Sequence, residues 1–381
     1  MTFLSAEKLS VHLRANPARK RRLWLVSLLY PLLPLIGTVP ATLTGRAEFV
    51  WLPILMAYVA VPLLERVIGD DHHDLLGQME AEGDMSPLYR WMVHGLLPLI
   101  YLTWGFGAWY VATQSPSVLT LVGVGVAHGL GLGFAINSGH EVGHKTDRVS
   151  KWVALLMLAP SLYGHFRIEH NMGHHSHVAT PHDSSTSYFG ESFWHFIMRE
   201  IPGAWTRAWA IESKRADRKG YSRWSLKNEV VIATLLGLGV WAIMLMIFGA
   251  VILPYLVLTW LLSVTGLSQQ NYIAHYGLLR ERRPNGKYRP ARPEHSWNCN
   301  NLVTNMITYN LARHSDHHAN PARHYQNLRT FPDAPQFPYG YGTMFLLAYV
   351  PPLFRRVMDP LVLANVDGDM SKVLTRDMMM K

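Results

Sequence analysis

The sequence predicts an all-α integral membrane protein, with six transmembrane helices in three hairpins and a cytoplasmic, histidine-rich cap. Three observations lead there. Charged residues make up 16% of the chain, well below the roughly 25% of soluble domains. Six apolar stretches reach the ~20 residues needed to cross hydrocarbon. Nine histidines fall into four short clusters, while the remaining ones are scattered.

In chain order, residues 1–22 form a basic N-terminal segment carrying Lys8, Arg14, Arg19, Lys20, Arg21 and Arg22. The first apolar stretch, 23–43, could pass for a signal peptide. It exceeds the about 7–15 apolar residues of such a peptide and a second span follows at once, so it reads as a membrane helix. Stretches 49–68, 91–112 and 117–138 complete a first membrane unit, 23–138. Residues 139–228 then hold the first two histidine motifs. Within them WVALLMLAPSLY (152–163) is too short to span and reads as re-entrant or interfacial. Trp194, Trp205 and Trp209, with Arg199 and Arg207 among them, read as a segment lying along lipid headgroups. Stretches 229–248 and 250–270 make the last hairpin, 229–270, and residues 271–381 close the chain with a polar tail from Asp367 that is expected to fray.

The short connections carry almost no positive charge apart from Arg46, whereas lysine and arginine are dense before residue 23 and from Lys145 to Lys227. That asymmetry places both termini and every histidine cluster in the cytoplasm. The charge of +9 flanks apolar spans, so no nucleic-acid partner is expected. Cys299 is the lone cysteine. This excludes an internal disulfide, a thiolate-held iron site or an iron–sulfur cluster within the chain, and any electrons must come from another protein.

The clusters are His140 and His144 in HEVGH, His170, His174 and His175 in EHNMGHH, the single His275, and His314, His317 and His318 in HSDHH. Side chains three or four apart share a helix face, and imidazole is the commonest metal ligand. A zinc site takes four ligands, or three plus water, so nine histidines overfill one metal and suit two. His12, His94 and His295 show no such pattern and are expected in solvent or satisfied in the core. Imidazole suits iron, zinc, copper and nickel alike; iron follows if the chemistry is oxidative. A metal centre at the mouth of apolar helices suggests a substrate that arrives from the bilayer. HEVGH also fits the HExxH pattern of zinc proteases, which leaves the other clusters unexplained. Metal storage would favour histidines within spans, where only His94 and His128 fall.

HEVGHK (140–145), EHNMGHHSHVATP (169–181) with STSYFGES (185–192), NYIAHYGLLR (271–280) and LARHSDHHANPARHYQNLR (311–329) resemble the integral-membrane alkane 1-monooxygenases, or alkane ω-hydroxylases, and the likeness runs from about Leu23 to Leu361. The HYG segment around His275 is the most diagnostic, because related membrane desaturases have three histidine boxes without it. The resemblance implies two irons held by His140, His144, His170, His174, His175, His275, His314, His317 and His318. It implies O2-dependent hydroxylation of a terminal methyl group, in the cytoplasmic (inner) membrane of a bacterium. Electrons would come from rubredoxin, itself reduced by an NAD(P)H-dependent reductase. A fatty acyl or lipid desaturase or hydroxylase of the same di-iron class is the alternative. Carboxylates commonly orient metal-bound imidazoles, and Glu141, Glu169, Asp183 and Asp316 are the candidates. A basic face including Lys214, Arg215, Arg218, Lys219, Arg223, Arg280, Arg282, Arg283 and Lys287 is expected to steer the electron donor. The chain departs from the family pattern at Ala274, where an acidic residue is usual before the HYG histidine, at Ala312 where glutamine is common, and at Ser184 where proline is common.

Overall fold

A computed structural model describes residues 24–72 and 87–379; His12 and the basic residues from Lys8 to Arg22 lie outside the described residues. Helices dominate, and among the described residues β structure is confined to isolated bridges such as Leu278 with Val373. Five helices are long and apolar enough to cross a membrane: α2 (Ala47–Ile68), α3 (Leu88–Gln114), α4 (Val118–Gly143), α8 (Glu229–Phe248) and α9 (Ala250–Ala274). The first expected span is broken. A 3-10 helix, Trp24–Leu32, meets α1 (Leu35–Thr44) at 44°, because Pro31 and Pro34 remove backbone donors and crowd the preceding turn.

The connections are as short as the sequence suggested. Gly45 (φ 72°) ends α1 and Gly249 (φ 79°) separates α8 from α9, both in the positive-φ region that glycine enters without steric cost. Ser117 caps α4 and Asn228 caps α8 through their side-chain oxygens. At about 1.5 Å per residue, the 26 residues of α4 extend about 39 Å, beyond the ~30 Å hydrocarbon core. The helix is therefore longer than the hydrocarbon core is thick. Helix α9, packed against α4, ends at the same level.

Between the spans, α5 (Arg148–Leu158) is capped by Asp147, turns at Leu162 (φ 47°) and is held under α8 by Trp241, whose indole N–H donates to the Pro160 carbonyl at 2.8 Å. A helical segment, α6 (166–177), carries the second histidine motif, and α7 (Phe193–Lys219) runs beneath it. After α9 come α10 (Leu302–Thr308), α11 (His314–Ala319), α12 (Tyr341–Ala348) and α13 (Pro351–Ala364). Two expectations are corrected. Trp194 and Trp205 are exposed on α7, but Arg199 and Arg207 turn inward, to Glu191 and to Asp183 with Glu169. Guanidinium groups offered buried carboxylates pair with them rather than with headgroups. The tail does not fray: Val373 and Leu374 are fully buried, and Leu374 exchanges backbone hydrogen bonds with Phe189 and Gly277.

Candidate metal centre

The structure gathers the nine clustered histidines into two adjoining groups, one of His140, His144, His170, His175 and His317, the other of His174, His275, His314 and His318. Within each, one ring nitrogen per residue lies within 4.8 Å of the others. The groups touch, with the His175 and His318 rings 4.4 Å apart between centroids.

The partition does not follow sequence spacing. Residues Glu169–His174 form a π-helical turn, which carries one residue more per turn than an α-helix. It brings His170 and His175, five apart, to 2.9 Å between their Nε2 atoms and turns His174 toward the second group. On α11, His314 and His318 share the second group while His317 faces the first. His275 follows the last turn of α9 with φ −125°, outside the helix. The rest of its motif is anchored. The Tyr276 hydroxyl donates to Asp359 at 2.6 Å, and Gly277 (φ 73°) leaves no room for a Cβ against Val362.

The Nε2 contacts test whether a metal fits. His140 Nε2 is 3.0 Å from both His144 Nε2 and His317 Nε2, and His314 Nε2 is 3.0 Å from His275 Nε2 and 3.1 Å from His318 Nε2. A neutral imidazole nitrogen offers either one proton or one lone pair, so none of these atoms can serve two such contacts as hydrogen bonds. Ligands about 2.1 Å from a metal and at right angles to each other sit about 3.0 Å apart, whereas a tetrahedral set would be spaced about 3.4 Å. Nitrogens this close are spaced as ligands of a shared metal are, and five imidazoles in one group exceed the four of a zinc site. His174 Nε2, buried in the second group, finds no hydrogen-bond partner among the described residues. The residues fit two metal ions, one in each group.

Burial, reinforced by neighbouring rings, pushes His275 down to about 3 and holds His170, His175, His314, His317 and His318 well below the usual histidine pKa. All six are neutral at pH 7, the form that binds metal. Among the nine histidines the outer nitrogen is oriented in three cases. The Nδ1–H of His174 donates to Asp183 Oδ2 at 2.8 Å, that of His314 to the Leu311 carbonyl at 3.2 Å, and that of His275 to the His295 carbonyl at 3.3 Å.

Of the four candidate carboxylates, Asp183 alone contacts an imidazole among the described residues. Burial opposes its ionisation, but His174, Arg207 and the Thr186 hydroxyl overcome that and hold it well below the usual range. Glu169 pairs with Arg207, and burial drives it up to about 8. Glu141 pairs with Lys145 at 3.0 Å. Asp316 clamps Arg323, Arg329 and Asn320, fixing α11 to the loop that follows. Sequence reasoning placed Arg207 at headgroups and missed Thr186 and the two orienting carbonyls; Arg207, 24 residues from Asp183, and the His295 carbonyl, 20 from His275, leave no local signal. His94 and His295 are buried and their side chains belong to neither group, although the His295 backbone carbonyl touches His275.

Two parts of the expected basic face are also corrected. Arg280 is buried and donates to the carbonyls of Val178 and Arg289, and Arg215 and Arg223 are tied to Glu212 with Glu229 and to Asp217. Arg282, Arg283, Lys287 and Lys214 stay exposed.

Beside the groups lies a cavity of about 560 Å³ among α2, α4, α9 and α12, lined largely by apolar side chains. Asn137 and Leu311 line it, each three residues before a clustered histidine, His140 of the first group and His314 of the second.

Comparison with known proteins adds a family. A family model described as fatty acid desaturase matches residues 116–348. Alkane 1-monooxygenase 1 of Alcanivorax borkumensis is 42% identical over 93% of this chain and 88% of its own. Alkane 1-monooxygenase of Ectopseudomonas oleovorans is 41% identical over 95% and 90%, and that of Acinetobacter baylyi 37% identical over 93% and 88%.

Proposed function

The chain belongs to the alkane 1-monooxygenase family, and on that premise we propose that it hydroxylates the terminal methyl group of n-alkanes to 1-alkanols, using O2, two irons and electrons from rubredoxin. The observation that carries this reading is the apolar cavity whose lining comes within three residues of a clustered histidine in each group. Two irons held by the nine histidines would supply the redox chemistry by which RH, O2, two electrons and two protons become ROH and water.

The chain's own residues supply the rest. The cavity walls exclude water and hold an alkyl chain lengthwise, so that its end is the part presented to the site, a positioning effect. Asp183, through His174, and the carbonyls of His295 and Leu311 fix ring orientation before any ligand arrives. Neutral rings need no deprotonation to bind metal.

The sequence asymmetry in positive charge supports a cytoplasmic site with both termini on that side, and the length of α4, greater than the hydrocarbon thickness, supports its lying in water rather than lipid. Bacterial relatives and multiple apolar spans support the inner membrane. Docking of rubredoxin is best supported on a polar groove of about 1270 Å³ lined by Arg282, Arg289, Arg292, Lys372 and His295, since its floor includes the residue whose carbonyl holds His275. Electrostatic attraction there should weaken as the Debye length falls from about 10 Å at 0.1 M salt to about 3 Å at 1 M.

The test is product analysis with n-alkanes of graded length, using protein in lipid nanodiscs with rubredoxin, its reductase and NADH, alongside iron analysis. A 1-alkanol with two irons per chain is expected. Iron-loaded protein that yields an internal alkene would favour the desaturase alternative, and no product at all would overturn the reading. Reversing Arg282 and Arg283 to glutamate should raise the apparent KM for rubredoxin at low salt and flatten its salt dependence.

A further inference from the structure

The cavity has two ends of different character. Asn137, Gln270, Thr304 and Leu311, at the end near the histidines, are buried or nearly so. At the other end Ala57, Tyr58, Leu262 and Tyr349 are half-buried and Leu346 is exposed. Leu55, Met56, Val59 and Val350 stand beside them, exposed by 37% or more. An apolar cavity whose outer wall merges with the apolar surface of a membrane-spanning helix opens toward lipid.

Two side chains meet across that end. Tyr58 of α2 and Tyr349, between α12 and α13, touch hydroxyl to hydroxyl at 3.0 Å, with their rings edge to face and centroids 6.1 Å apart. The Tyr349 hydroxyl also meets the Gln269 side chain, so the pair ties α2 to α9 as well as to the turn between α12 and α13. The contact therefore narrows the opening at this end.

The two sides differ in how firmly they are held. Tyr349 is a fixed post: the Trp194 indole N–H donates to its carbonyl at 3.2 Å, and the rings of Trp194 and Phe193 lie 6.0 and 5.9 Å from its own. Tyr58 sits in a π-helical turn, Met56–Ala60, between Pro53 and Pro62. Such turns loosen the regular hydrogen-bond ladder and recur at functional positions. The yielding side is α2.

We propose that Tyr58 and Tyr349 form a gate at the lipid-facing end of the cavity and set the cross-section of chain that passes, admitting unbranched alkyl chains and holding back branched ones. This rests on the alkane reading above. It concerns passage from the bilayer, not the reaction, so iron binding should be untouched by changes to the pair.

The experiment compares kcat/KM for an n-alkane and for its isomer with a methyl branch remote from the oxidised end, in vesicles with the electron-donor proteins. Tyr58→Ala and Tyr349→Ala should each raise the branched-to-linear ratio on the order of tenfold, the size of effect that one methylene makes in a tight apolar pocket. Tyr58→Phe, which keeps the ring and removes the hydroxyl pair, should raise kcat/KM for the n-alkane while leaving the ratio little changed. Leu64→Ala, an exposed position on the same helix outside the cavity lining, should change neither. Tyr58→Val replaces Tyr58→Ala if that variant loses iron or fails to fold. Iron-loaded variants of both tyrosines with a wild-type ratio would overturn the gate. A wild-type protein that oxidises neither alkane would overturn the functional reading instead.

Discussion

Replacing Asp183 by asparagine should empty one half of the metal centre. Asp183 Oδ1 accepts from Arg207 at 2.7 Å and from the Ser185 backbone N–H at 3.2 Å, while Oδ2 accepts from His174 at 2.8 Å and from Thr186 at 2.6 Å. Every neighbour is a donor, so the amide nitrogen of asparagine must face one pair of donors. The charged Arg207 will take the amide oxygen, leaving the NH2 against His174 Nδ1. His174 can then accept only by moving its proton to Nε2, the atom that faces the second group. Loss of an orienting partner of this kind typically costs about 10–100-fold in metal affinity, or about 1.4–2.7 kcal/mol. The four-histidine group should lose its metal while the five-histidine group keeps its own. The assay is iron per chain against chelator concentration, with melting temperature measured alongside. In the variant a first iron should leave at 10–100-fold lower chelator than in wild type and the second at the same concentration. Superimposable release curves for variant and wild type, with both proteins folded, would refute the reasoning.

Metal-free protein should lose stability as pH falls below about 6.5. The six shifted histidines stay neutral when folded, down toward about 3 for His275, but take up protons near 6.5 when unfolded, so the unfolded state binds more protons in that window. Glu169, raised to about 8, and Glu200, raised by burial, oppose this above their ordinary value near 4.5, but the six histidines are joined by His144, His165, His295 and His324, which burial also lowers; melting in detergent from pH 8 to 5 should show the net decline. His275→Ala should abolish alkanol formation and lower iron content, whereas in His295→Ala, which retains the backbone carbonyl, both should persist; iron analysis of the pair decides. Ala274→Glu places a carboxylate at a fully buried position next to His275. It should slow iron release to chelator, and an unchanged release rate would show that position 274 does not act on the site.

Apolar length, turn residues and clustered histidines are local properties, and the sequence by itself determined what depends on them: a multi-span α-helical protein, short hairpin connections at Gly45 and Gly249, and a set of nine imidazoles worth bringing together. Equal spacing in HEVGH, EHNMGHH and HSDHH suggested that each motif acts as one unit. The fold divides them otherwise, sending His174 away from His170 and His317 away from His314, because the second motif forms a π-helical turn packed on α7 and α11 is seated against residues 293–295. Only the tertiary structure decided that Asp183, and not Glu141, Glu169 or Asp316, touches an imidazole. It also decided that Arg199 and Arg207 pair with buried carboxylates, that Arg280 is buried, that the tail from Asp367 is docked, and which side chains line the cavity. Helices apolar on every side carry no periodic signal of which face turns inward. A buried charge goes wherever a partner of opposite sign has been placed, and the chain places those partners tens to hundreds of residues away.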